Sequence, residues 1–366
     1  MKKKMVLLNP GPVNTSDKVR NALLRGDICH REDDFSRIQR NVREMLTDTF
    51  ARKDTHTAVI FTGSGTAAME AAISSSLGEG KTMLVVNNGV YGERISKIAS
   101  IYRFKKVELV YDWKELPDLD EIEAALKKDP NIEVVALVHH ETTTGLINPV
   151  KEIGEICKRY GRVFLVDTIS SLGGEEIDLI KDGVDICMCS SNKCIQGLPG
   201  LSFVILKKEQ MERIKNLPPR SMYLHIPTQW ENQEKDGTPF TPSIPVFYAL
   251  EAALEELREE GVSDRIARYK KASGILRKGF KRLGLRLLLP EEHLSNTITA
   301  LYLPDGTSYQ ELHDHLKKEG FVIYAGQARL KEKIFRVANM GELTHEDLNN
   351  FLECLGKVMG EVGCGQ

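Results

Sequence analysis

At 366 residues the chain is long for one core, so a large domain with a smaller companion is the expected arrangement. Its 41% apolar and 28% charged residues are those of an ordinary globular protein, and a net charge of −2 offers no basic footprint for nucleic acid. The opening MKKKMVLLNPGP has too short an apolar run for a signal peptide or a membrane span, and seven cysteines without zinc-type spacing suit a reducing cytoplasm.

Short β-branched runs then alternate with helical patterns. They are TAVIF (57–61), TMLVV (82–86), KVELV (106–110), EVVALV (133–138), RVFLV (162–166), VDICMCS (184–190) and LSFVIL (201–206). Each gap between the first six can hold an amphipathic helix; NPVKEIGEICKRYG has Pro149 near its start and Gly161 at its end. This alternation predicts an α/β fold with a mostly parallel seven-stranded sheet, covered on both faces. Only the loop carrying Lys193 separates the last two runs, so that pair can run antiparallel. Cys187 and Cys189, two apart, share a strand face and read as buried thiols.

From residue 243 the pattern changes. A helix is expected over 243–260, and a second across DRIARYKKASGILRKGFKRLG. A strand at TITALYL, a helix over YQELHDHLKKEG, strands FVIYA and IFRVA and a closing helix from Thr344 complete an α+β region. The expected boundary lies near 255, giving a large domain over 20–255 and a smaller one over 256–366 that takes in 1–19.

In an open α/β sheet, ligands bind beyond the carboxyl ends of the strands. After TAVIF, Ser64, Gly65 and Thr66 offer hydroxyls, backbone N–H groups and a helix start, which suit a phosphate. No G-x-G-x-x-G and no P-loop lysine is present, which argues against a dinucleotide or ATP. Tyr91, in NNGVYGER, can face a flat ligand or pack on its own helix. After EVVALV, HHETTTG sets three hydroxyls beside Glu141; His139 and His140 face opposite ways on a strand and make a poor chelate, so no metal is expected. Asp167, straight after RVFLV, needs a helix N-terminus or a cationic ligand nitrogen as partner. Lys193 reads either as a charge surfacing at a strand end or as an amine held at the sheet edge. A phosphate cup, an aromatic platform, an acid and an amine together fit pyridoxal phosphate, whose aldehyde needs a lysine and whose ring nitrogen needs an acid.

The stretch DTISSLGG with SSNKCIQGLPGLSFVI, and LLNPGPVNTSDKVRNALL, DICHREDDF, FTGSGTAAMEA, NNGVYGER, ETTTGLINPV and FRVANMGE, resemble the class V aminotransferases of pyridoxal-phosphate fold type I. The resemblance covers nearly the whole chain. Within the family it is most similar to the 2-aminoethylphosphonate–pyruvate branch; the serine– and alanine–glyoxylate branches, which usually lack NKCIQG, are the alternative. Cysteine desulfurases usually have His before the lysine, where this chain has Asn192.

The resemblance implies pyridoxal 5′-phosphate as cofactor, an amine and a 2-oxo acid as substrates, and a homodimer with shared active sites. It also implies roles for particular residues. Lys193 would bond the cofactor aldehyde and shuttle a proton, and Asp167 would keep the ring nitrogen protonated. Ser64, Gly65 and Thr66 would hold the phosphate, with Thr241 reaching it from a second subunit. Tyr91 and Ile169 would take the two ring faces, and Asn192 would lie beside the lysine. Thr143 would touch the ring hydroxyl region, with Thr142 and Thr144 as alternatives. Arg336 would bind the substrate anion.

Overall fold

All seven apolar runs become strands of one sheet. The computed structural model describes residues 5–363. Across the sheet the order is His56–Thr62, Leu201–Lys207, Ile186–Ser190, Val163–Asp167, Ile132–Val138, Thr82–Asn87 and Lys105–Val110. Leu201–Lys207 is antiparallel to both its neighbours, and the remaining pairings are parallel. Six strands therefore point their carboxyl ends at the same edge.

Side-chain alternation feeds two cores. Val135, Leu137, Phe164 and Val166 enter the one that holds Phe35 and Phe247, from the helices Asp33–Phe50 and Ile244–Glu260. Val134, Ala136 and Leu165 enter the other, against Met69 and Ile95 of the helices Gly65–Ser76 and Val90–Ile101. Burying one such aliphatic or aromatic side chain contributes about 1.5–3 kcal/mol, so the central strands hold the sheet and need no polar face. Cys187 and Cys189 share the first core, fully buried. The edge strand Lys105–Val110 differs: it is partly exposed and carries Lys106 paired with Glu108 at 3.0 Å, charges that discourage further strand pairing.

The helix Val150–Arg159 begins after Pro149 and ends before Gly161, which takes φ +61°. Past the helix Ile244–Glu260, the helix Val262–Arg282 leads to a three-stranded antiparallel sheet of Ile298–Tyr302, Ile334–Ala338 and Tyr324–Ala325. Phe280, Phe335 and Phe351 anchor a separate core there, which Val6 and Leu8 join. The run FVIYA is not one strand. Phe321–Val322 pairs in parallel with Val6–Leu7, while Tyr324–Ala325 pairs with Ile334–Ala338. Two partners claim the two halves, and Ile323 between them is fully buried. Among the described residues no helix is long and apolar enough to cross a membrane.

Candidate active site

The shared strand edge opens on a cleft of about 160 Å³. Asp167, the last residue of its strand, lines it, as does Lys193, three residues beyond the end of the adjacent strand Ile186–Ser190. On the first strand's side the cleft takes Ser64, Gly65 and Thr66. Ser64, which is exposed, is the N-cap of Gly65–Ser76, and among the described residues its side chain makes no capping bond. Gly65 leaves room for Ile169, which also lines the cleft: a Cβ there would come 2.9 Å from its Cδ1 and push that side chain aside.

Burial sets the chemistry of the central pair. Asp167 is 3% exposed, and its Oδ1 accepts from the Ile169 N–H at 2.8 Å. Desolvation outweighs that bond and pushes the carboxyl up to about 7. The same desolvation pulls the Lys193 amine down to about 8. The Lys193 Nζ donates to the carbonyl of Pro10, and a Cβ on Gly11 would meet that Nζ at 2.7 Å. The N-terminal NPGP turn thus wraps the lysine, with Gly11 at φ +115°. No role for this turn was legible beforehand; the signal was a glycine held between two prolines.

Tyr91 lines the cleft one residue into the helix Val90–Ile101. Below it Glu141, fully buried, accepts from the Tyr91 N–H at 3.1 Å and from the Thr143 hydroxyl at 2.7 Å. A carboxylate at a helix N-terminus is favourable, though burial still raises its pKa. Thr143 is therefore not brought to the cleft: its Oγ1 donates to Glu141 and accepts from the Val90 N–H at 3.3 Å. The buried acid needs donors, and the nearest hydroxyl serves it. The hydroxyls of Thr142 and Thr144 are buried without a partner among the described residues.

Asn192 lines the cleft, its Oδ1 accepting from the Ser190 hydroxyl at 3.1 Å. Arg336 projects from Ile334–Ala338 and is 2% exposed. Its Nε donates to the Ala325 carbonyl at 3.0 Å, and its Nη1 to the Thr142 carbonyl at 2.9 Å and to Gln327 Oε1 at 3.2 Å. Those hydrogen-bond partners are neutral, and the guanidinium carbon lies 5.9 Å from the Tyr324 ring centre. Thr241 is exposed and lies outside the cleft of its own chain.

Arg94, His140, Ser170 and Ser190 also line the cleft and were not singled out for it in the sequence. Arg94 carries its guanidinium carbon 4.6 Å from the Tyr91 ring centre. His140, weighed only as a metal ligand, donates from Nδ1 to the Ser170 carbonyl at 3.0 Å, since a carbonyl can only accept. Burial pushes its pKa down to about 3, so it stays neutral, with Nε2 unpartnered among the described residues.

The family model of class V aminotransferases matches residues 16–345. The chain belongs to the class V aminotransferases. This class V aminotransferase is 38% identical over 357 residues to the 2-aminoethylphosphonate–pyruvate transaminase of Lysinibacillus sphaericus, covering 96% of the chain and 97% of that relative. It is also 38% identical to the enzyme of that name from Syntrophobacter fumaroxidans, over 98% of the chain and 97% of the relative. The alanine–glyoxylate aminotransferase of Nostoc sp. shares its fold with a TM-score of 0.92 at 27% identity, covering 98% of this chain and 96% of that one.

Proposed function

We propose that this class V aminotransferase moves the amino group of 2-aminoethylphosphonate to pyruvate, releasing phosphonoacetaldehyde and L-alanine, with pyridoxal 5′-phosphate as cofactor. One observation carries the reading of the substrates: relatives named for that reaction match 96% and 98% of the chain at 38% identity. The donor set of the cleft supports the cofactor. Asp167 is a buried acid with one backbone donor, which suits a cationic ring nitrogen, and the helix start at Ser64–Thr66 suits a phosphate. Tyr91 and Ile169 both line the cleft, an aromatic and an aliphatic side chain that suit the two faces of a flat ring.

When bound, pyridoxal phosphate supplies an aldehyde that links to amines and a ring that draws electrons from the amine-bearing carbon. The protein's residues do the rest. Asp167 holds the proton on the ring nitrogen, stabilising charge that develops during proton transfer. Lys193, at about 8, sits close enough to neutrality to take a proton from the amine-bearing carbon and return it, general base and then general acid. Arg336 takes the anion of either substrate, pairing in two places with pyruvate's planar carboxylate and equally able to meet a tetrahedral phosphonate.

The same reading makes the protein a homodimer in which Thr241 completes the phosphate site of a second copy, in keeping with its exposed position outside its own cleft. It divides the chain into a large unit over 20–255 and a smaller one over 256–366 with 1–19, in keeping with the separate core around Phe280 and Phe351. It places the enzyme in the cytoplasm, where the six described cysteines remain thiols. The purified enzyme given 2-aminoethylphosphonate and pyruvate should form phosphonoacetaldehyde and alanine in equal amounts, with parallel double-reciprocal lines. Consumption of the phosphonate without alanine would remove pyruvate from the reading.

A further inference from the structure

We infer that Arg94 is the charged anchor of the cofactor's phosphate, completing the cup that Ser64–Thr66 begin. The inference rests on the pyridoxal-phosphate reading above and adds a residue to it. Arg94 stands one turn into the helix Val90–Ile101 and reaches across to the neighbouring helix start, where its Nη1 donates to Thr66 Oγ1 at 3.2 Å. Its guanidinium carbon lies over the Tyr91 ring, 4.6 Å from the ring centre, a cation–π contact that helps to hold the side chain. One of its five N–H donors is used on Thr66, and no carboxylate pairs with it among the described residues. Arginines elsewhere in the chain do find acids: Arg25 pairs with Glu251 and Arg43 with Glu234.

Charge decides what that free guanidinium is for. A phosphate monoester carries about −1.5 to −2 at neutral pH, and a helix N-terminus offers only about +0.5. Lys193 and Arg94 are the two cationic side chains lining the cleft, and Lys193 is committed to the aldehyde. Within this chain's lining, Arg94 is the cationic side chain left to meet the phosphate. Its contact with Thr66, the second residue of the helix, places it on the phosphate side, whereas Arg336 enters from the Thr142 and Ala325 carbonyls.

The test compares two forms of the cofactor. Cofactor-free wild type, Arg94→Gln and Arg94→Lys are titrated with pyridoxal phosphate and with pyridoxal, following the absorbance of cofactor linked to Lys193. Arg94→Gln should weaken pyridoxal phosphate about 10- to 100-fold, the range of one charge-assisted contact, and change pyridoxal by less than about 3-fold. Arg94→Lys should recover part of the loss. Pyridoxal binding also reports that the variant has folded. Unchanged affinity for pyridoxal phosphate would overturn the inference, and so would an equal loss for both forms. Retained affinity with a raised half-saturating concentration of 2-aminoethylphosphonate would reassign Arg94 to the substrate anion. Failure of the wild type to link either form would sink the cofactor reading itself.

Discussion

Asp167 and Lys193 share one cleft, and burial moves them toward each other, the acid up to about 7 and the amine down to about 8. For Asp167 the folded value lies above the ordinary 3.8. In the cofactor-free protein its contribution is therefore most favourable below about pH 4, and is lost progressively as the pH rises toward 7. Asp167→Asn removes that loss. Cofactor-free Asp167→Asn should be more stable than wild type above pH 7, by up to about 4 kcal/mol, with the gap closing near pH 4. Urea unfolding of both proteins across that window measures it. The same variant should lose several orders of magnitude in turnover, because an amide cannot hold the ring nitrogen charged. Near-normal turnover, or a stability gap that ignores pH, would put the working acid elsewhere. Asp167 was legible in the sequence because a carboxylate straight after a buried run must have a partner. Arg94 was not: one arginine in a helical pattern reads as a solvated charge, and its meeting with Thr66 depends on how two helices pack.

At the scale of elements, strand positions followed from apolar runs, because parallel strands are buried on both faces and show it in composition. Strand order did not follow. Leu201–Lys207 slides between the first and the sixth strand, a long-range pairing that no local pattern encodes. The division of FVIYA between two sheets has the same origin, since the N-terminal strand Val6–Leu7 comes from the other end of the chain. The turn before the helix Val90–Ile101 shows how elements position the site. Gly89 approaches Glu141 so closely that a Cβ would lie 2.2 Å from its side chain, and Glu141 in turn holds the Tyr91 N–H. Gly89→Ala should push the acid out of place and shift the helix that carries Tyr91 and Arg94. The expected outcome is a loss of about 1–3 kcal/mol of stability, the cost of overpacking, together with weaker cofactor retention on dialysis. Wild-type melting and retention in this variant would show that the Glu141 contact does not position the helix.

At the scale of the whole molecule, the cleft of one chain leaves Thr241 on the outside, and the dimer reading gives it a place. Mixing Lys193→Ala with Thr241→Ala protein, under conditions that let subunits exchange, should create hybrids in which one site keeps both residues. Activity should then rise above that of either variant alone; no recovery would assign Thr241 to its own chain or to no site. The substrate is the least legible feature of the sequence, because a guanidinium such as Arg336 accepts any small anion and only its setting chooses among them. That makes the amine half-reaction the most direct measurement. The cofactor-loaded enzyme is mixed, without any acceptor, with 2-aminoethylphosphonate, serine, glutamate or aspartate, and conversion of the bound cofactor is followed by absorbance. The account predicts that 2-aminoethylphosphonate converts it far faster than the three amino acids. Faster conversion by serine or glutamate would contradict the phosphonate assignment and leave a class V aminotransferase with a carboxylate donor.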